Sequence, residues 1–409
     1  MTASIPIASD LFTPLGAYVH LRERARASFL LESVRQGRLG RYSFVGAGSR
    51  VCEVAEAERC ERPVVGYVGY DWAATLEPTV PLPEGGAGLP ESRFVAADTL
   101  VRFDHPAGTA EVLAGNAQEL VDRFCSPLPP MPIGTGGRGA LHRFPPRAAF
   151  ERSVQRAQEQ IRAGEALQIV LSQRAERPTS ATPVQLYRAL RRVNPSPYLF
   201  LLELDGIALI GSSPETLVKL EAGRASVNPI AGTTEPGEGD AERLLASDKD
   251  RAEHVMLVDL GRNDLARVCE PGSVTVERLL QAERYSHVTH LVSEVTGTLR
   301  RDVTPFELLR ACFPAGTVSG APKVRAMQLI SELEGYRRGP YAGAVGYALP
   351  DGTLDTCIAI RTIVLHDGVA RLQAGAGVVA DSDPAAEHAE CLRKLAALEA
   401  AIDLAEAGA

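Results

Sequence analysis

The sequence predicts an α+β fold in which large, mostly antiparallel sheets pack in a sandwich with flanking helices. Two apolar runs, 198–204 and 207–210, are separated by Asp205-Gly206, a dipeptide typical of two-residue hairpins. A second pair, Asp351-Gly352, also divides two apolar runs. Because helical patterns flank both hairpins, the order of elements indicates antiparallel sheets rather than a parallel βαβ array.

Composition places the chain among ordinary globular proteins and excludes several functional classes. It has 409 residues, 45% of them hydrophobic and 23% charged. The net charge of −8 argues against nucleic-acid binding. No apolar run reaches the roughly 20 residues of a membrane span, and residues 1–10 lack the pattern of a secretory signal. The seven cysteines form no Cys-x-x-Cys pair. We therefore expect a cytoplasmic chain without nucleic-acid or membrane partners.

A segment rich in proline and glycine predicts the domain organisation. Residues 126–142 contain a stretch rich in both, which reads as a linker between an N-terminal region, 1–125, and a C-terminal region, 143–409. Helical periodicity predicts a helix over 150–163 and a final helix that starts near Asp383-Pro384.

The most informative segment is a loop rich in glycine and hydroxyl groups, residues 313–322, that leads into a helix. Thr317, Ser319 and Lys323 surround the predicted helix start, and Pro322 suits the first helical turn. Exposed N–H groups, two hydroxyls and a lysine form an anion-binding site. The alternative is a capped helix that is entered by a tight loop.

Two acidic pairs indicate a divalent cation site. Asp250 and Glu253 are three residues apart, as are Glu387 and Glu390, and each pair projects from one face of a predicted helix. Four carboxylates brought together would repel one another unless a cation lay between them, and oxygen ligands suit Mg²⁺. The alternative is two solvated helix faces, one of them with an ion pair between Glu390 and Lys394.

Four further residues are suited to catalysis or to ligand binding. Glu215 follows an apolar strand, where partial burial would raise its pKa and make it a general acid. Arg361 lies in an apolar, strand-like run and needs an anionic partner if it is buried; a substrate carboxylate and an internal ion pair both fit. Gly375 and Gly377 allow a ligand, or a neighbouring strand, to approach the backbone.

Five segments resemble motifs of the chorismate-utilising enzymes, most closely the anthranilate synthase family: 229–233, 253–265, 314–323, 355–362 and 374–382. The resemblance implies a Mg²⁺-dependent enzyme that converts chorismate and ammonia to anthranilate and pyruvate in tryptophan biosynthesis. The alternative within the family is the aminodeoxychorismate synthase component of folate biosynthesis, which retains the pyruvyl group. A chorismate- or tryptophan-binding subunit without activity is a third reading, which the intact acidic residues disfavour.

The resemblance also implies the site residues. It gives Glu215 and His290 catalytic roles, places Glu253 and Glu390 on Mg²⁺ with Glu387 beside them, and puts Asp250 where the family usually has Glu. It lines the chorismate pocket with Thr317, Gly320, Tyr341, Arg361, Gly375, Gly377 and Lys394.

Two positions discriminate between family members. Gln168 stands where isochorismate and salicylate synthases carry a lysine that activates water, and glutamine cannot act as that base. Ala231 stands where many aminodeoxychorismate synthases carry a nucleophilic lysine. Both substitutions favour addition of ammonia, which needs no base when it is neutral.

The resemblance further implies a regulator and a partner. The effector site for tryptophan would comprise Leu31, Glu32, Ser33, Asn194, Pro195, Pro197 and Tyr198. The alternative for the first of these segments is an ordinary helix end. The chain has no Gly-x-Cys-x-Gly nucleophile elbow, so a separate glutamine amidotransferase subunit would supply the ammonia.

Overall fold

Two antiparallel β-sheets lie face to face, and helices cover their other faces, which confirms the predicted fold class. The computed structural model describes residues 6–8, 12–23, 25–33, 41–131, 139–234, 237, 239–284 and 289–408. No helix in these ranges is both long and apolar enough to cross a bilayer.

The described strands, in chain order, are β1 (Pro6–Ala8), β2 (Ala27–Glu32), β3 (Tyr42–Gly48), β4 (Arg50–Cys52), β5 (Val64–Val68), β6 (Ser92–Ala96), β7 (Thr99–Asp104), β8 (Thr109–Ala114), β9 (His142–Phe144), β10 (Gln168–Pro178), β11 (Tyr198–Leu204), β12 (Ile207–Ser213), β13 (Thr216–Glu221), β14 (Arg224–Val227), β15 (Ile230–Thr234), β16 (Thr275–Arg284), β17 (Thr289–Thr298), β18 (Gly320–Ala321), β19 (Ala344–Ala348), β20 (Leu354–Ile358), β21 (Thr362–His366) and β22 (Val369–Val378).

The described helices are α1 (Pro14–Arg22), α2 (Val54–Ala57), α3 (Ala73–Leu76), α4 (Ala117–Phe124), α5 (Arg147–Arg162), α6 (Pro183–Val193), α7 (Asp240–Ala246), α8 (Asp248–Ala266), α9 (Pro305–Cys312), α10 (Lys323–Glu334) and α11 (Pro384–Glu406). Short 3-10 helices span Tyr70–Trp72 and Gly316–Val318.

Each sheet contains strands from both sides of the predicted linker. The first sheet has the order β1-β8-β7-β3-β2-β11-β12-β21-β22-β10-β18, and β9 also pairs with β10. The second has the order β15-β17-β14-β13-β20-β19-β5-β6-β4, and β16 pairs with β17. Regions 1–125 and 143–409 therefore share both sheets. Residues 132–138 of the predicted linker lie outside the described residues.

The β11–β12 hairpin shows why these strands read as continuous apolar runs. Leu199 and Leu201 of β11 pack among the helices of the first sheet, whereas Phe200 and Leu202 pack against the second sheet. A strand that is buried on both faces has no polar positions to alternate with apolar ones. Asp205 and Gly206 both have positive φ, 49° and 91°, as a two-residue turn requires.

The final helix begins where the sequence predicts. The Asp383 side chain accepts a hydrogen bond from the backbone N–H of Ala386, 2.8 Å away, and so caps α11. Leu395, Leu398 and Ile402 project from this helix into the core over the first sheet, each fully buried. Burial of each side chain stabilises the fold by about 1.5–3 kcal/mol. This packing holds the first turns of α11 against β22.

Two of the places where the chain crosses from one sheet to the other are adjacent. Residues 214–215 connect β12 of the first sheet to β13 of the second, and residues 359–361 connect β20 of the second sheet to β21 of the first. Arg361 therefore lies in a crossing, with φ 51°, and the predicted strand through it was wrong. The apolar pattern continues because Ala359 and Ile360 are packed at the crossing.

Candidate functional site

The two crossings run side by side and hold an acid and a cation next to the same strands. The backbone N–H of Ile358 donates to the Glu215 carbonyl over 3.0 Å, and that of Ser212 donates to the Arg361 carbonyl over 3.1 Å. Each crossing is therefore hydrogen-bonded to the strand that precedes the other crossing. The backbones of Glu215 and Arg361 are fixed relative to both sheets.

Glu215 is a buried carboxyl that remains protonated at neutral pH. Its side chain is 8% exposed. Burial raises its pKa to about 8, while the Thr317 hydroxyl, the Ile230 backbone N–H and the Lys394 charge act weakly in the other direction. Desolvation disfavours the charged form of a carboxyl, which explains the direction. A neutral carboxyl can donate a proton, as the sequence argument expected.

Arg361 is a cation whose surroundings leave it open to an anionic ligand. Burial lowers its pKa, and the nearby Tyr341 and Glu390 oppose that change. No carboxylate among the described residues forms an ion pair with it. This favours a ligand carboxylate over the internal ion pair that the sequence left open. A guanidinium group binds a carboxylate through two parallel hydrogen bonds.

Three predicted glycines lie where neighbouring chain segments approach the backbone closely. A Cβ atom on Gly320, whose φ is 135°, would lie 2.1 Å from the Gln168 carbonyl oxygen, and one on Gly377 would lie 2.4 Å from its Nε2 atom. A Cβ on Gly375 would lie 2.8 Å from the Tyr341 hydroxyl and 2.9 Å from a backbone carbonyl oxygen of β10. Backbone atoms therefore leave no room for a Cβ at Gly320 and Gly375, whereas at Gly377 the obstacle is the Gln168 side chain.

The loop before α10 differs in part from the predicted anion-binding site. Lys323 Nζ donates to Asp264 over 2.8 Å, and Ser319 Oγ donates to the Ala315 carbonyl over 2.8 Å. These two groups are therefore occupied within the protein, because a buried ammonium requires a carboxylate partner. Pro322 occupies the cap position that precedes α10. Thr317 remains: its hydroxyl is buried and makes no well-formed hydrogen bond to a described residue.

The predicted acidic residues lie around β10, β22 and α11. Glu253 of α8 accepts a hydrogen bond from Gln168 Nε2 over 2.9 Å. Glu390 of α11 accepts one from Lys394 Nζ over 2.7 Å, and the same ammonium donates to the Gly375 carbonyl over 2.7 Å. Glu387 is buried in the first turn of α11. The side chain of Asp250 is outside the described part of the structure.

These carboxylates fit an open cation site but not a closed protein cage. No three His, Cys, Asp or Glu side chains among the described residues are close enough together to hold a metal ion. Mg²⁺ commonly binds through one or two carboxylates and completes its shell with waters and substrate oxygens. Glu253 and Glu390 are each connected to the Gly375–Gly377 segment through one side chain, Gln168 and Lys394 respectively, and are the candidates for such a donor set.

His290 and Ala231 lie on neighbouring strands beside Glu215. The His290 ring Nδ1 is 2.9 Å from the Gly232 carbonyl oxygen, in β15. Ala231 is buried in the same strand, which also supplies the Ile230 N–H that faces Glu215. The structure thus brings the start of β15 to the acid, and His290 of β17 lies next to that strand.

The two predicted effector segments are adjacent. Glu32 of β2 lies opposite Leu199 of β11, and Ser33 Oγ donates to the Pro197 carbonyl over 3.0 Å. Glu32 is 6% exposed, accepts a hydrogen bond from the Tyr187 hydroxyl and pairs with Arg191 at 3.3 Å. Residues 31–33 thus end a strand and not a helix.

The second effector segment leads directly to the two crossings. The Asn194 carbonyl accepts a hydrogen bond from the Ser212 side chain, and Pro195 is exposed next to it. The Tyr198 hydroxyl is 2.8 Å from Thr216 Oγ1, one residue after Glu215. This segment is therefore connected to the backbones of both crossing residues.

A cavity that the sequence did not reveal borders the site. It has a volume of about 330 Å³, and Tyr341 and Thr362 line it together with Arg174 and Arg371. The sequence also missed Arg338 and Glu334, which are four residues apart and form a buried ion pair beside this cavity. Their spacing is typical of exposed pairs at a helix end, so no local pattern indicates their burial.

Comparison with known proteins is consistent with this architecture. Residues 16–400 match the model of a family described as chorismate binding enzyme. The chain is 42% identical to anthranilate synthase component 1 of Thermus thermophilus, with 98% of this chain and 97% of the relative covered. It is 44% identical to the Streptomyces coelicolor protein of the same name, with 98% and 88% covered.

Solved structures agree in fold. Anthranilate synthase component I from Streptococcus pneumoniae matches with a TM-score of 0.80 at 32% identity, over 96% of this chain and 98% of that one. The menaquinone-specific isochorismate synthase from Escherichia coli shares the fold, with a TM-score of 0.78 at 21% identity, over 98% and 94% of the two chains. The chain therefore belongs to the chorismate binding enzyme family and, within it, to the anthranilate synthase component 1 group.

The pKa of Glu215 predicts a pH-dependent stability difference. Its folded-state pKa of about 8 lies above the ordinary value of 4.5, so the folded chain keeps a proton that the unfolded chain releases. Wild-type stability should therefore fall as pH rises from about 5 to about 8, and that of Glu215→Gln should not share this loss. Urea unfolding of both proteins across this range measures the difference. A constant difference would show that Glu215 is not a buried neutral acid.

Proposed function

We propose that the chain is the chorismate-converting component of an anthranilate synthase. The observation that carries this proposal is that two adjacent sheet crossings hold a protonated, buried carboxyl and a cation. The carboxyl is that of Glu215, and the cation, Arg361, has no ion-pair partner among the described residues. The relatives named anthranilate synthase component 1 support the choice of reaction.

The geometry suits the atom balance of this reaction. Chorismate and ammonia give anthranilate, pyruvate and water, so a hydroxyl group must leave with an added proton. In this proposal Arg361 binds a carboxylate of chorismate, and Glu215 supplies the proton at the departing hydroxyl. Because the pKa of Glu215 is about 8, its donor form predominates at neutral pH. Activity should decline as pH rises above that value.

Gln168 favours ammonia over water as the nucleophile. Its amide donates to Glu253, and its Oε1 atom is buried without a hydrogen-bond partner in the described part of the chain. An amide has no accessible proton affinity near neutral pH, so it cannot activate water. Its free carbonyl oxygen can accept a hydrogen bond from an N–H group. A separate glutamine amidotransferase subunit would deliver the ammonia, since this chain carries no glutaminase elbow motif.

Mg²⁺ belongs to the proposal through Glu253 and Glu390, with Glu387 nearby. When bound, the ion would supply positive charge to a substrate carboxylate and to charge that develops as the reaction proceeds. Lys394 holds Glu390 and the Gly375 carbonyl together, which orients one donor toward the glycine backbone. Gln168 orients Glu253 in the same way from β10.

The first experiment tests the reaction and the division of labour. The purified chain should form anthranilate and pyruvate from chorismate with Mg²⁺ and ammonium, but not with glutamine as the nitrogen source. Anthranilate fluorescence, together with a lactate dehydrogenase assay for pyruvate, measures both products. An aminated product that keeps its pyruvyl group would instead identify the aminodeoxychorismate reaction. Activity with glutamine alone would contradict the need for a second subunit.

The second experiment tests the cation site. Glu390→Gln should raise the Mg²⁺ concentration for half-maximal rate by at least about tenfold, since it removes one charged ligand from a small donor set. Glu399→Gln is a matched control, because Glu399 lies on the same helix but pairs with Arg143 at 2.7 Å. Equal Mg²⁺ requirements for the two variants would remove Glu390 from the site.

We also propose that tryptophan binds at the two adjacent effector segments and inhibits the enzyme. The contact from Ser33 to Pro197 supports it, because it joins the two segments that resemble the effector motif. The segment then leads through Ser212 to the Arg361 carbonyl. Movement of this segment would therefore displace the crossing that carries the proposed carboxylate-binding cation.

Tryptophan titration tests this regulatory proposal. Ser33→Ala should weaken tryptophan binding by about fivefold, the equivalent of one hydrogen bond of about 1 kcal/mol, with little change in uninhibited turnover. Ser28→Ala in the same strand is the control, since its hydroxyl contacts Tyr18 instead. Chorismate should weaken tryptophan binding by about 5–150-fold. Absence of calorimetric tryptophan binding to the wild type would refute the proposal.

A further inference from the structure

A fully buried ion pair lies beside the candidate site without touching the proposed reacting groups. Arg338 Nη2 and Nε donate to the two carboxylate oxygens of Glu334 over 2.7 and 2.9 Å. The two side chains are 1% and 9% exposed. Glu334 is the last residue of α10, and Gly335, with φ 60°, turns the chain so that Arg338 points back at it.

The remaining guanidinium donors bind two backbone segments of the candidate site. Nη1 donates to the Val318 carbonyl and Nη2 to the Val170 carbonyl, each over 2.7 Å. Val318 directly follows Thr317 in the 3-10 helix. Val170 lies opposite Gly377 in the β10–β22 register, two residues after Gln168. A single planar group therefore fixes the distance between the Thr317 loop and β10.

Glu334 extends the same unit along β10 and β22. Its Oε1 atom accepts hydrogen bonds from the backbone N–H and the hydroxyl of Ser172, both over 2.8 Å. That hydroxyl accepts a hydrogen bond from Gln373 Nε2 over 2.8 Å. Gln373 lies two residues before Gly375 in β22. The ion pair thus reaches the strand that carries both site glycines.

The chain after Arg338 is anchored by a second carboxylate. Asp71 accepts hydrogen bonds from the backbone N–H groups of Arg338 and Gly339 over 3.2 and 2.8 Å. The guanidinium lies 4.5 Å from the Tyr70 ring centroid and 5.6 Å from that of Tyr341. Cation–π contacts of this kind place the Tyr341 ring relative to the guanidinium. Tyr341 in turn contacts Gly375.

Stability alone is a weak explanation for this arrangement. Removing two charges from water is costly, and replacing a buried ion pair by apolar side chains is often neutral for stability. What apolar side chains cannot reproduce is four directed hydrogen bonds to a carboxylate and two carbonyls. Lysine cannot do so either, because its ammonium is a point charge without the planar fork.

We propose that Arg338 is a positioning residue that sets the spacing between the Thr317 loop, β10 and Tyr341, and thereby shapes the pocket for chorismate. The inference rests on the proposed function, since it takes chorismate as the ligand of that pocket. Arg338 touches none of the reacting groups. It acts through the Val318 and Val170 carbonyls and through the Tyr341 ring.

Arg338→Lys tests the proposal with the charge retained. The KM for chorismate and its calorimetric Kd, measured without ammonia, should both rise by at least about tenfold, because a displacement of about 1 Å has effects of that size or larger. Arg337→Lys is the control: Arg337 is the exposed neighbour that donates to the Pro83 carbonyl. It should leave KM and Kd unchanged.

The split between KM and kcat separates positioning from a general loss of folded enzyme. A variant that merely unfolds in part has less active protein, so its apparent kcat falls while its KM stays the same. That outcome, or wild-type Kd and KM in Arg338→Lys, would overturn the proposal. Because Kd needs no product, a wild type that binds chorismate without forming anthranilate would refute the proposed function and leave this test intact.

If the lysine variant does not fold, the double variant Arg338→Met with Glu334→Met tests the proposal instead. It leaves no unpaired buried charge, so it should still fold, although its melting temperature should fall because the Val170 and Val318 carbonyls and the Ser172 N–H lose these partners. Its chorismate Kd should still rise by at least about tenfold. A folded double variant with wild-type chorismate affinity would show that the ion pair does not position the pocket.

Discussion

The candidate site depends on two peptide segments that cross between the sheets in contact with each other. Each crossing residue is bonded through its carbonyl group to the strand of the other crossing: Glu215 to Ile358, and Arg361 to Ser212. The Glu215 side chain is buried there and that of Arg361 is half-buried. The acid and the cation lie on these two crossings, and β22, which carries Gly375 and Gly377, pairs with β21 directly after the second crossing.

Desolvation shifts the pKa values of the two crossing residues in opposite directions: it raises that of Glu215 and lowers that of Arg361. It makes the Glu215 carboxyl neutral, with a pKa of about 8, and it makes the Arg361 cation energetically unfavourable until an anion binds. A direct ion pair between them would cancel both properties. The separate crossings hold the two groups apart, and Lys394 is instead paired with Glu390. The site therefore combines a proton donor with an unsatisfied cation, which suits a substrate that has carboxylates and a leaving hydroxyl.

Local patterns predicted the elements more successfully than they predicted the site. Asp205-Gly206 and the Asp383 cap act within a few residues, so the hairpin and the final helix followed from the sequence. Arg361 was wrongly placed in a strand, because the apolar run continues through the buried crossing. Lys323 forms an ion pair with Asp264, which is 59 residues away in the sequence, and no local sequence pattern predicts such a contact. The other site residues come from the family resemblance and stay predictions, whereas the buried partners of Arg338 could be identified only from the fold.

For the proposed regulation by tryptophan, the same crossings offer a route that does not require large motion. Ser212 donates through its side chain to the Asn194 carbonyl and through its backbone to the Arg361 carbonyl. Tyr198 binds Thr216, the neighbour of Glu215. The segment that resembles an effector site is therefore two hydrogen bonds away from Arg361, and one hydrogen bond away from the residue next to Glu215. A ligand that favours a shifted position of this segment must also shift Ser212, because its hydroxyl is buried and a broken hydrogen bond there costs about 1–3 kcal/mol. That cost is comparable to a typical allosteric coupling energy, so these contacts are strong enough to carry the proposed inhibition.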